Sequence, residues 1–156
     1  MSAYSFYEEA PVYSLDATNT YLAINELQNF VDIYSESSRI EECNKLIDEL
    51  RSRLSLKAFE KAKQYYITSN YKAAIIDLEN VLIDYPSFNN REEVHYLIIK
   101  SSYLLAINSI STKVKERLNE TMESYLHFKD NYPNSKYLID LKSTYKQTTT
   151  MLEQIK

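Results

Sequence analysis

The chain has 156 residues, of which 44% are apolar and 26% charged, with a net charge of −4. That is enough for one domain burying roughly two-thirds of its unfolded surface, and the acidic balance argues against nucleic acid as the main partner, because phosphate binding needs a basic footprint. The absence of glycine excludes phosphate-cradling loops, Rossmann turns and glycine-dependent type I′ hairpins together, and no apolar run is long enough to be a transmembrane segment.

In chain order, residues 2–10 read as a short helix, with Ala3, Phe6, Tyr7 and Ala10 at helical spacing and Pro11 as its stop. The N-terminus lacks the charged region and apolar run of a signal peptide. A loop over 11–18 offers Asp16 or Thr18 as turn or cap residues, and a helix follows over about 18–34. Ser38 and Glu41 have capping-box spacing and open a long helix over about 38–69, carrying Ile40, Cys43, Ile47, Leu50, Leu54, Ala58, Ala62 and Tyr65 on one stripe. A break near Ser52–Ser55 is the alternative. Asn70 is the expected left-handed turn residue before a helix over 71–84. Asn90 and Glu93 repeat the capping-box spacing at the start of a helix over 91–108, whose apolar surface is the widest. A polar loop at 109–113, a helix over 114–131, a cap at Asn134 or Ser135 and a last helix over 136–155 complete the chain.

Three of these helices share a register. Tyr71, Ala74, Leu78, Val81 and Pro86 occupy the slots of the second helix of a tetratricopeptide (TPR) unit: an opening aromatic, a small residue for close helix approach, two large apolar residues and a stop. Thr20, Ala23, Leu27, Phe30 and Ser35 fill the same slots upstream, and Leu118, Thr121, Tyr125, Phe128 and Pro133 do so downstream. The copies lie 51 and 47 residues apart, wider than the roughly 34 of a plain TPR array, so the intervening helices or loops must be long. The expected fold is all-α, a TPR-like α-solenoid of six to seven helices forming one domain over 1–156. Its helix pairs are expected at about 2–34, 38–84 and 91–131, with a polar-faced capping helix at 136–155.

Catalytic chemistry finds little support. Glu92 and His95 have the spacing of a di-iron carboxylate helix, but that site needs a second such pair, and Glu123 and His127 are four apart. Cys43, the only cysteine, lies on an apolar stripe and reads as core. Asn119-Glu-Thr121 matches a glycosylation sequon but lies within a helix. No enzyme activity, metal or cofactor is expected. Binding by surface remains, and the helix register points Phe59, Lys63 and Tyr66 into the groove of a TPR array, an aromatic–cation–aromatic patch suited to an extended peptide or a partner helix.

The stretch from Glu42 to Ser109, with LIDELRSRL running into KAFEKAKQYY, then YKAAIIDLENVLIDYP and REEVHYLIIKSSYLLA, resembles the BamD (ComL-like) outer-membrane assembly lipoproteins. YSLDATNTYLAINELQNFVDIY and NYPNSKY extend the resemblance over nearly the whole chain. It implies a non-catalytic, periplasm-facing TPR scaffold at the bacterial outer membrane, part of the machine that folds β-barrel proteins. The implied partners are BamA-like periplasmic domains, other subunits of the machine and unfolded outer-membrane proteins. The family begins with a signal peptide, a lipobox cysteine and further repeats. Cys43 lies inside a helix, so no residue here is assigned the lipid anchor, and the chain reads as the family's C-terminal part. The alternative is a cytoplasmic TPR adapter or co-chaperone. An apolar edge at Phe6 and Tyr7, where earlier repeats would stack, implies self-association.

Overall fold

A computed structural model describes residues 17–155. The expected helix at 2–10, its edge at Phe6 and Tyr7, and Asp16 lie outside the described residues. Within them the fold is all-α and TPR-like: α1 (Thr18–Ile33), α2 (Ile40–Ile67), α3 (Tyr71–Asp84), α4 (Arg91–Ile107), α5 (Ser111–Asn131) and α6 (Leu138–Gln154). The chain divides into two compact units, 1–58 and 59–156, so α2 contributes to both.

In the first unit, Ala23 and Leu27 of α1 form a core with Cys43, Ile47 and Leu50 of α2, flanked by Ile24, Phe30, Val31 and Leu46. Cys43 is buried and free, as its place on the apolar stripe implies. The long helix runs unbroken through Ser52–Ser55, where the Ser55 hydroxyl donates back to the Ser52 carbonyl at 2.8 Å. Its outer surface carries Glu41–Lys45 and Glu49–Arg53 pairs at i,i+4, each worth about 0.3–0.5 kcal/mol to a helix. The helix starts at Ile40, with Arg39 as the residue whose carbonyl accepts the first turn's bond from Cys43. The Ser38–Glu41 capping box therefore does not hold. The Ser37 hydroxyl accepts from the Arg39 amide instead, and the Glu41 carboxylate is taken by Lys45.

In the second unit, α3, α4, α5 and α6 pack each on the next, and α6 also returns onto α4. That is solenoid packing, with α4 at its centre and Val94, Leu97, Ile99, Ser101 and Ala106 buried. A second core joins Ile99, Tyr125, Phe128 and Leu141. The Ser101 hydroxyl is buried without a hydrogen-bond partner among the described residues.

The repeat register is visible in burial. Ala23, Ala74 and Thr121 are 0, 0 and 1% exposed, as a slot for a small residue at a helix crossing requires. The ends of these helices also repeat. Tyr34, Tyr85 and Tyr132 are the C-caps of α1, α3 and α5, with φ of −115°, −127° and −129° and amides donating to Phe30, Val81 and Phe128. Three residues on, the amides of Ser37, Phe88 and Ser135 donate to these tyrosine carbonyls at 2.9, 3.0 and 3.1 Å. Three copies thus share one backbone turn as well as one helix face.

The α2–α3 turn differs from expectation by one residue. Ser69, not Asn70, takes the left-handed conformation, with φ 62°. The Asn70 amide donates to the Tyr65 carbonyl and the Ser69 amide to that of Tyr66, at 2.9 and 3.1 Å. This is a Schellman closure, and its αL position is normally glycine. Because a side chain at that position costs roughly 1–2 kcal/mol, Ser69→Gly is expected to stabilise the second unit by about 1 kcal/mol, read as a higher urea midpoint. An unchanged or lower midpoint would show that Ser69 is not strained.

Two further boundaries move. The polar stretch 109–113 is mostly helix, since α5 starts at Ser111 with Ile110 as its N-cap. The last helix starts at Leu138 with Tyr137 as N-cap, and the Ser135 hydroxyl accepts from the Tyr137 amide one turn earlier.

Candidate docking site

The sequence-marked residues all lie in the second unit, at the end of α2. Phe59 is 1% exposed and packs against Phe88, ring centroids 5.3 Å apart. It lies under the surface and presents little of itself. Its ring does hold Lys63, whose ammonium sits 5.5 Å from the centroid. The same ammonium is 2.9 Å from a Glu93 carboxylate oxygen on α4, and that hydrogen bond raises the Lys63 pKa above the ordinary lysine value. Glu93 is thus not the capping-box partner of Asn90. Asn90 is the N-cap of α4 by position, without a side-chain cap bond, and Glu93 is spent on a tertiary ion pair. Tyr66 is half-buried with its ring 6.2 Å from that of Tyr71. Burial first, then the neighbouring Tyr71 and Asp140, raise its phenol pKa.

Residues that sequence reasoning missed continue this face onto α4 and α6. The Tyr96 hydroxyl donates to Asp140 at 3.0 Å, and its ring stacks on Tyr137 at 4.4 Å. Lys100 reaches Asp140 at 3.0 Å and the Thr144 hydroxyl at 3.3 Å. Burial first, and then the Asp140 hydrogen bond, push the Tyr96 phenol well above the tyrosine range. Tyrosines held by stacking and lysines held by carboxylates make a pre-ordered surface, which lowers the entropy a partner's docking must overcome. Glu93, Tyr96 and Lys100 do lie on one stripe of α4 at i, i+3 and i+7. That spacing could have flagged them, but the partner of Glu93 lies 30 residues earlier on α2 and those of Tyr96 and Lys100 up to 44 residues later on α6.

On the side of α4 away from these pairs, a cavity of about 400 Å³ lies between α3 and α5, with Ile75, Ile98 and Leu105 among its lining residues. A neighbouring cavity of about 240 Å³ shares Glu79, Ile98 and Ser124 with it and reaches His95 and His127. The two histidines are thus neighbours in space. Burial first, then Arg91 and His127, hold the His95 pKa below its ordinary value. His127 Nδ1 lies 2.7 Å from the Asn131 amide nitrogen. Among the described residues, no three His, Cys, Asp or Glu side chains converge as a metal site would need. Thr121 of the sequon is buried, its hydroxyl donating to the Arg117 carbonyl at 2.8 Å.

An all-α, TPR-like helical-repeat protein, with side chains ordered across adjacent helices, is the class this fold defines. The model of the outer membrane lipoprotein family YfiO matches residues 1–117 and again 58–154. The chain belongs to this BamD-like family. The two matches overlap over 58–117, as expected of a chain built from repeats. No curated protein matches the chain. Among the described residues no helix is long and apolar enough to cross a membrane.

Proposed function

We propose that the chain is a non-catalytic docking scaffold in the assembly of outer-membrane β-barrel proteins, working at the periplasmic face of that membrane. The match of the outer membrane lipoprotein family over nearly the whole chain carries this reading. Its partners in this role are the periplasmic domains of a BamA-like barrel-forming subunit, with other assembly subunits and unfolded barrel substrates as further candidates. Both compact units serve as one repeat domain over 1–156. The docking face is built on Lys63 and Tyr66, with Phe59 beneath them and Tyr96 and Tyr137 beside them. A side-chain surface of this kind offers aromatic area with polar tips, the composition that dominates interface energetics.

The test is binding of the purified chain to the BamA periplasmic domains of the same organism, by calorimetry or pulldown. Saturable binding is expected, weakened at least tenfold in a Tyr66→Ala/Lys63→Ala variant that keeps its helical circular dichroism. Absence of binding by the unaltered chain would sink the scaffold reading. Binding that the double variant leaves intact would move the docking face elsewhere.

A further inference from the structure

The two cavities between α3 and α5 form one groove, since they share Glu79, Ile98 and Ser124. From Lys72 to Leu82 the α3 wall spans ten residues, about 15 Å or three turns at 1.5 Å per residue. The floor from α4 presents Ile98, Ser102 and Leu105, an i, i+4, i+7 stripe. Such a stripe is the surface another helix packs on. The walls are helices whose backbone groups are already bonded internally, so an occupant has to satisfy its own backbone, as a helix does and an extended strand does not.

Charge along the groove adds direction. Lys72 stands in the first turn of α3, whose dipole adds positive potential there, and Arg117 stands in the N-terminal half of α5. Glu79 and Glu120 follow further along. The face opposite pairs its charges internally, as Lys63–Glu93 and Lys100–Asp140. Among the described residues none of Lys72, Arg117, Glu79 and Glu120 belongs to an ion pair; Arg117 instead donates to the Ser109 hydroxyl. On the α3 wall, Ile76 is 48% exposed.

We infer that this groove is a second docking site, distinct from the Lys63–Tyr66 face, for one amphipathic helix of a partner protein. The helix is about three turns long and apolar on the face toward Ile98 and Leu105. It carries acidic residues at the Lys72–Arg117 end and basic residues over Glu79 and Glu120. Unpaired charge of both signs, set in order along an apolar floor, is what selects register and orientation in such a site.

The probe is a three-turn stapled peptide with leucines on one face, two glutamates at one end and two lysines in the following turns. Its twin has the charges exchanged. Fluorescence anisotropy with the full chain is expected to show the first peptide binding at least tenfold tighter than the twin. The preference should fall to near parity in Lys72→Glu/Glu79→Lys, because Arg117 and Glu120 keep the original order on the other wall. Ile76→Glu should abolish binding of both; this position is open enough for the fold to survive, and Ser124→Arg blocks the groove from the other wall if it does not. Equal affinities for the unaltered chain, or no saturable binding of either peptide, would overturn the proposal. So would concentration-dependent dimerisation that Ile76→Glu abolishes, since the groove would then hold a second copy of this chain.

Discussion

Phe59→Ala is expected to cost the second unit about 3–5 kcal/mol, the range for emptying a buried aromatic site. Phe59 is among the largest fully buried side chains and its ring meets Phe88 at 5.3 Å. Phe88 is held in turn by the α3–α4 turn, where its amide donates to Tyr85. Truncation therefore opens a cavity and loosens the turn's apolar anchor together. At roughly 4–8 °C per kcal/mol for a domain of this size, the melting temperature should fall by tens of degrees. Phe59→Leu keeps most of the volume and should lose far less, on the order of 1 kcal/mol. The alanine variant would also release Lys63 from its aromatic seat, so loss of partner binding by this variant alone would not identify Phe59 as a contact. Comparing the two variants by urea denaturation decides the matter. A loss below 1 kcal/mol for Phe59→Ala would show that this ring does not belong to the core.

The repeat register was legible because a helix crossing imposes a local rule. Ala23, Ala74 and Thr121 sit where only a small side chain fits, and the apolar residues four and seven positions on follow from helical geometry. Lys63 and Tyr66 lie three residues apart on α2, where Lys63 meets Glu93 and the Tyr66 ring meets that of Tyr71. What was not legible depends on contacts distant in sequence or on backbone closure. Glu93 has the right spacing to cap α4, yet Lys63, 30 residues earlier, takes its carboxylate. Asn70 is the better αL residue by type, yet the paired bonds to Tyr65 and Tyr66 fix Ser69 at that position. The start of α5 at Ser111 was hidden because serine and threonine are weak helix formers and read as loop when no cap is visible. Phe59 fell on the expected face but beneath its surface, because burial against Phe88 depends on a turn 29 residues away. The groove between α3 and α5 required knowing that both helices flank α4.

Arg91→Ala is expected to destabilise the second unit by about 1–2 kcal/mol, toward the lower end for hydrogen bonds to a charged group because one of its two bonds is part-buried and the other exposed. One Arg91 nitrogen donates to the Leu82 carbonyl at 3.2 Å and to the Pro86 carbonyl at 3.3 Å. Leu82 belongs to the last turn of α3, where carbonyls lack intrahelical partners and the dipole favours a cation. A residue at the first position of α4 thereby closes the helix before it. Arg91→Lys retains the charge but not the planar fork, so partial rescue is expected. The same variant carries a second readout through His95. Burial and then Arg91 hold the His95 pKa below its ordinary value of 6.5, so the folded state disfavours the charged imidazole. The corresponding stability is present above about pH 6.5 and is lost as pH falls from there through the lower folded pKa. Removing the Arg91 charge narrows that gap. The acid-side slope of stability against pH should therefore be shallower in Arg91→Ala than in the unaltered chain, and nearly absent from this source in His95→Gln. Parallel pH profiles for all three proteins, whatever their absolute stabilities, would show that Arg91 acts on α3 alone and not on the histidine.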